Sequence, residues 1–191
     1  LTFGNEFNQP ITLPSSLIDL TFGNKFNQPI TLPNSLTDLT FGNEFNQPIT
    51  LPSSLIGLTF GNKFNQPITL PSSLTDLTFG NEFNQSITLP NSLTYLYFGK
   101  KFNQKVNLVD KSTGKIFKNL NFIKFDINYQ NELEIGPIEN KLKKIKIVFN
   151  IQHYNKIFPT NEQYNFENYI FEDSKIYDDR VRLEYNYPIY D

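Results

Sequence analysis

The chain has 191 residues, 38% of them hydrophobic and 15% aromatic, so it is long and apolar enough to bury a core. A formal net charge of −2 and a pI near 5.5 argue against broad attraction to phosphate backbones or anionic membrane surfaces, so neither nucleic acid nor a membrane is expected as partner. The absence of cysteine rules out a disulfide framework and a thiol nucleophile, and with no apolar run of about 20 residues and no signal-peptide pattern the expected setting is intracellular. Methionine is also absent and Leu1 falls inside a repeat, which reads as a fragment or processed form of a longer protein.

Leu1, Leu20, Leu39, Leu58, Leu77 and Leu96 open the same phrase at a step of 19 residues, LTFGNKFNQPITLPNSLTD in its second copy. Residues 1–38 and 39–76 differ only at Asp19 against Gly57 and Asn34 against Ser72, so a two-coil unit has been duplicated. Alternation at Leu20-Thr21-Phe22 and at Ile30-Thr31-Leu32 predicts two short strands per repeat, near residues 17–22 and 29–32 and their equivalents. Gly23 and Asn24, residues that tolerate positive φ, end the first, and Pro29 and Pro33 bracket the second and forbid a helix through it. A single such unit cannot bury its apolar face. Stacked copies can, with Leu20, Phe22, Phe26, Ile30, Leu32 and Leu36 lying over their equivalents. The expected fold is therefore mainly β, a right-handed parallel β-solenoid of 19-residue coils with the Leu and Phe positions inside and the Thr columns outside.

Two polar columns run along this stack. Asn8, Asn27, Asn46, Asn65, Asn84 and Asn103 each follow a core Phe and are expected to turn inward and satisfy backbone groups of their own or the next coil as a structural ladder. Glu6, Lys25, Glu44, Lys63, Glu82 and Lys101 alternate in sign, which replaces repulsion by weak attraction and also follows from duplication of the two-coil unit.

The succession Phe26-Asn27, Ile30 and Leu32-Pro33, reproduced in coil after coil, resembles the FNIP repeat, named for those Phe, Asn, Ile and Pro positions; the resemblance covers residues 1 to about 108. It implies a leucine-rich-repeat-like stack and a role in binding other proteins. Because such repeats are often joined to an N-terminal F-box, it also implies the substrate-recruiting part of a larger ubiquitin-ligase adaptor. These coils are shorter than the family's commoner version, lacking about three residues between Ile30 and Pro33, and this chain contains no F-box.

Beyond residue 108 the character changes: residues 1–108 carry 11 charged side chains and residues 109–191 carry 25. The division expected is FNIP-like tandem repeats over 1–108 and diverged, longer repeats with an irregular C-terminal cap over 109–191. The L-x-x-L-x-F spacing of Leu36, Leu39 and Phe41 is sought in Phe117, Leu120 and Phe122, then Leu142, Ile145 and Ile147, then Phe166, Tyr169 and Phe171. A small independent α+β domain is the alternative. Residues 110–114 read as a turn and residues 171–191 as a frayed tail.

No catalytic constellation emerges. His153 is the only histidine, so a two-histidine metal site is excluded and the residue reads as a surface side chain. Asp19, Asp38 and Asp76 form a repeated column, as duplication produces, whereas an active site breaks repeat symmetry. Lys141, Lys143, Lys144 and Lys146 alternate with Leu142, Ile145 and Ile147 like an exposed strand face, and no phosphate loop is present. Asn84-Gln85-Ser86 matches the glycosylation triplet, but its Asn belongs to the ladder. No enzyme, cofactor, metal or small-molecule substrate is therefore expected.

What remains is an outward face suited to a protein partner: Asp19 and Thr21, Asp38 and Thr40, Gly57 and Thr59, Asp76 and Thr78, Tyr95 and Tyr97. The tyrosine pair reads equally as a binding anchor or as packing beneath the C-terminal segment. Two other readings stand beside the interaction module. One is a structural or near-neutral repeat expansion without a dedicated partner. The other is an ice- or polysaccharide-binding face on Thr12, Thr31, Thr50, Thr69 and Thr88.

Overall fold

The structure, a computed structural model, describes residues 1–135, 145–149, 157 and 169–173, the last five by their strand alone. Five three-residue strands recur at the 19-residue step: β1 (Asp19–Thr21), β2 (Asp38–Thr40), β3 (Gly57–Thr59), β4 (Asp76–Thr78) and β5 (Tyr95–Tyr97). They are followed by β6 (Val106–Asn107), β7 (Val109–Asp110), β8 (Lys115–Ile116), β9 (Phe122–Lys124), β10 (Leu133–Glu134), β11 (Ile145–Phe149) and β12 (Tyr169–Asp173). One eight-stranded sheet runs β1-β2-β3-β4-β5-β9-β11-β12, every neighbour parallel. The solenoid is thus a stack of coils, each contributing one strand to this sheet, and β6 and β10 form a separate two-stranded parallel sheet.

Register is set by one apolar column. Leu20, Leu39, Leu58, Leu77, Leu96, Ile123 and Ile147 lie strand on strand. None exceeds 2% exposure. A slip by one residue would turn this whole row to the solvent face. Behind it two phenylalanine columns stack ring on ring. Phe22 lies 3.7 Å from Phe26 within a coil and 5.6 Å from Phe41 in the next, and Phe26 lies 6.1 Å from Phe45. Strands in a sheet sit about 4.8 Å apart, so the coils fan open with distance from the sheet, which lines the concave side.

In the regular coils only one of the two expected strands forms. Residues 29–32 and their equivalents through 86–89 are extended but pair with nothing, whereas Val106–Asn107 (β6), at the same place in its coil, pairs in parallel with Leu133–Glu134 (β10) as expected. The prolines at 10, 29, 48 and 67 remove a donor in the regular coils, and Lys105 takes that place directly before β6. Open grooves of about 520–530 Å³ separate the unpaired segments, between residues 11–13, 30–32, 49–51 and 68–70. Thr12, Thr31, Thr50, Thr69 and Thr88 are exposed on this convex side.

Gly23 plays a different part from the one expected. The glycine at positive φ among the described residues is Gly114, at 65°. In the coils the turn closes through Phe26 N–H donating to the Gly23 carbonyl (3.4 Å), and what excludes a side chain is the coil before. A Cβ built on Gly23 would lie 2.4 Å from the Gly4 carbonyl oxygen, and on Gly61 2.3 Å from that of Gly42. A second turn, Leu36 N–H to Pro33 carbonyl at 3.2 Å, returns the chain to the sheet.

The sixth coil shows how length is added. Leu96 pairs with Ile123, a step of 27 in place of 19. The excess of eight residues is the hairpin Val109–Ile116, whose strands β7 and β8 pair antiparallel. It is closed by Phe117 N–H donating to the Leu108 carbonyl (2.9 Å). Asp110 organises its turn, accepting from Ser112 Oγ (2.6 Å), Ser112 N–H (2.8 Å) and Asn91 Nδ2 (3.1 Å). These bonds, the Ser112 hydroxyl first, hold its carboxyl below the usual range.

The hairpin corrects the expected frame. The repeat motif continues as Leu120, Ile123 and Phe125, all buried, three residues later than Phe117, Leu120 and Phe122. The following coil places Ile147, not Ile145, in the leucine column, and Phe171, not Tyr169, follows it at a step of 24. Leu142, Phe166, His153, Lys141, Lys143, Lys144 and the tail beyond residue 173 lie outside the described residues.

Candidate interaction face

The residues flanking each column leucine point away from the core and form two rows on the concave face. One holds Asp19, Asp38, Gly57, Asp76, Tyr95, Phe122 and Lys146, the other Thr21, Thr40, Thr59, Thr78, Tyr97, Lys124 and Val148. Asp19 and Asp38 are exposed, and the rest through Tyr97 are half-buried by their neighbours in the rows. The Thr37 hydroxyl donates to Asp38 Oδ2 at 2.7 Å, and Thr75 does the same for Asp76, so these carboxylates are fixed by the preceding residue. Where Gly57 interrupts the row the face dips into a depression of about 170 Å³ between Asp38 and Asp76.

At β5 the face changes from acidic to aromatic and basic. Tyr95 stacks on Phe122 with centroids 4.8 Å apart, and Lys124 Nζ sits 5.3 Å from the centre of the Tyr97 ring. Lys124 is buried, its stem packed in the row and its ammonium over the aromatic face. The tyrosine pair is therefore in contact with the next strand. Phe122 and Lys124 were not assigned to this face from the sequence because the frame there was three residues off, and Lys146, read as part of an exposed strand face, was left out of the rows by a frame two residues off. The available signal was that Leu108, a turn-forming segment and Phe117 fit an insertion in an otherwise 19-residue coil.

Along the side of the stack the asparagine column makes coil-to-coil bonds. The side-chain oxygen of Asn8 accepts from Asn27 N–H at 2.9 Å, and the pairs 27–46, 46–65, 65–84, 84–103 and 103–130 repeat that distance. The next coil's glutamine adds a second bond, as Gln66 Nε2 does to Asn46 at 3.2 Å. These asparagines are half-buried or exposed, aimed along the stack and not into the core. Asn84 of the glycosylation triplet is among the exposed ones. A serine column unnoticed in the sequence works similarly: Ser35, Ser54, Ser73 and Ser92 donate to the carbonyls of Leu17, Leu36, Leu55 and Leu74 at 2.5–2.6 Å. A second asparagine column, Asn24 N–H to Asn5 Oδ1 at 3.3 Å, runs beside the turn. On the charged ridge Lys25 pairs with Glu6, Lys63 with Glu44 at 2.5 Å, and Lys101 with Glu82. Among the described residues the intervening steps carry no ion pair, so each two-coil unit holds one.

Among the described residues no group of three or more His, Asp or Glu converges on a metal-sized site, and no helix is long and apolar enough to cross a membrane.

The FNIP repeat profile matches residues 1–25, 26–63, 45–82, 64–101 and 83–108, which together tile the regular coils. The chain belongs to the FNIP repeat family. Among solved structures this FNIP chain is similar to CroV588, described as a novel circular LRR protein. The two share 35% identity over 89% of this chain and 30% of the other, with a TM-score of 0.62. The FNIP chain thus spans less than a third of that protein's length. No curated protein sequence matches significantly. A leucine-rich-repeat-like parallel solenoid is therefore the fold, and it is a scaffold architecture consistent with protein interaction.

Proposed function

We propose that this FNIP-repeat chain is a non-catalytic protein-interaction module whose concave sheet carries the partner, and that it serves as the substrate-recruiting part of a larger F-box-type adaptor. The observation that carries the reading is the pair of outward rows across β1–β5: a continuous surface presenting carboxylates, hydroxyls and aromatics at one-strand spacing. The adaptor role rests on family resemblance alone. A second reading, repeat expansion without a dedicated partner, is favoured by the near-identity of residues 1–38 and 39–76.

Affinity capture from the source organism divides them, using the chain and a Thr40→Tyr/Thr59→Tyr variant. Tyrosine already occupies this row at Tyr97, so the variant keeps the fold while covering the acidic half of the face. A partner retained by the native chain and lost by the variant supports the module; no partner that depends on the face leaves the expansion.

A further inference from the structure

Resting on that reading, we infer that the concave face engages its partner through a basic side chain, arginine or lysine, seated over Gly57 between Asp38 and Asp76. Across β1–β4 every charged outward residue is a carboxylate, so the complementary surface is cationic. At Gly57 the duplicated unit departs from the Asp19 of its first copy, and the loss of that side chain opens the 170 Å³ depression. Such a volume equals roughly five to six waters at about 30 Å³ each, enough for the tip of a guanidinium or ammonium chain and too little for a folded element.

The walls have the matching chemistry. Asp38 keeps Oδ2 on the Thr37 hydroxyl and turns Oδ1 over Gly57, 2.7 Å from where a Cβ would stand. Asp76 closes the opposite side with Thr75 at its back, and Thr40, Thr59 and Thr78 supply hydroxyl oxygens along the second row. Two strand steps of about 4.8 Å separate Asp38 from Asp76, so one planar, multiply donating cation reaches both. Relief of repulsion between stacked carboxylates explains the absence of charge at 57, but any neutral residue provides that relief. Glycine alone also clears the floor. Like charges at the mouth disfavour an acidic occupant, and a purely apolar one would strip water from two carboxylates without pairing them.

The test uses the full chain and a displayed library of random dodecapeptides as probe, with thermal melts confirming that each variant folds. Selected peptides are expected to share an arginine or lysine, to weaken with added salt, and to lose about tenfold in affinity on Asp38→Asn/Asp76→Asn and on Gly57→Asp. Should Gly57→Asp fail to fold, the isosteric asparagine pair still decides. Peptides that are lost on Thr40→Tyr/Thr59→Tyr, lack a shared basic residue and ignore the asparagine pair would overturn the cation seat while leaving the interaction face standing. Absence of any selected peptide, or binding indifferent to the tyrosine variant, would overturn both.

Discussion

The regular coils and the longer ones that follow share a single sheet, yet they solve different problems. From Leu20 to Leu96 the leucine column, the phenylalanine stacks and the serine and asparagine columns are copied from coil to coil, while the ion pairs recur at every second step. From Leu96 onward the steps become 27, 24 and 24, yet the column continues through Ile123 and Ile147. The concave side tolerates no change of register because strand pairing and the buried column fix it jointly. The opposite side, unpaired in the regular coils, absorbs an eight-residue hairpin between Leu108 and Phe117, directly after the short β6–β10 ladder. Length varies outside the eight-stranded sheet.

The largest effect is expected where coils touch backbone to backbone. Gly61→Ala places a methyl 2.3 Å from the Gly42 carbonyl and should cost about 3 kcal/mol or more in denaturant melts, because no flexible group can yield. In the hairpin, Gly114→Ala meets no atom within 4 Å and pays only for its left-handed φ, about 1 kcal/mol. Equal losses at the two positions would break the distinction between copied and inserted backbone.

The boundary comes next. Replacing Tyr95 and Tyr97 by the Asp and Thr of earlier coils removes the Phe122 stack and the partner of Lys124. The double variant should lose about 2–3 kcal/mol, and limited proteolysis should begin beyond Val109. A variant within about 0.5 kcal/mol of the native chain and resistant to cleavage would show that the pair serves binding and not the junction.

Within the regular coils, Asn46→Ala should cost about 1–3 kcal/mol, since Asn65 N–H loses its acceptor and Gln66 Nε2 keeps only the Asn46 main-chain carbonyl. Glu44→Ala should cost under ~1 kcal/mol, its ion pair with Lys63 being solvent-screened. Chemical denaturation of both variants side by side checks the ranking.

Deleting residues 109–116 should restore the 19-residue step at a cost of about 1–2 kcal/mol, mostly from Ile116, with far-UV circular dichroism unchanged. Collapse of the fold would mean that the hairpin holds the longer coils in place.

The smallest effect at neutral pH is Tyr129→Phe, which restores the residue of the regular coils. The Tyr129 hydroxyl donates to the Glu132 carbonyl at 2.8 Å, and burial pushes the phenol well above its ordinary value near 10. A raised folded pKa leaves the native contribution intact below pH 10 and erodes it above, as the unfolded phenol ionises. The native chain should therefore lose stability relative to the variant by about 1.4 kcal/mol per pH unit there. Parallel pH curves for the two proteins would show that the ring is not enclosed.

Much of this architecture was legible in the letters. A 19-residue period with Leu, Phe and Pro at fixed places specifies stacked coils, since one coil cannot bury its own apolar face, and the stacking makes every repeated position a column. The outward rows follow from period-two alternation around each leucine. What the period could not reveal were distances between coils. Nor could it show which second segments pair: residues 29–32 stay unpaired, while Val106–Asn107 at the same repeat position joins Leu133–Glu134. Gly23 reads in sequence as a turn residue, and only the neighbouring carbonyl shows that its missing Cβ is the point. Beyond Leu108 the copied letters run out. There the sequence determined that a buried column continues, while tertiary packing alone decided which residues fill it, because pairing with Leu96 selects Ile123 over the equally apolar Leu120.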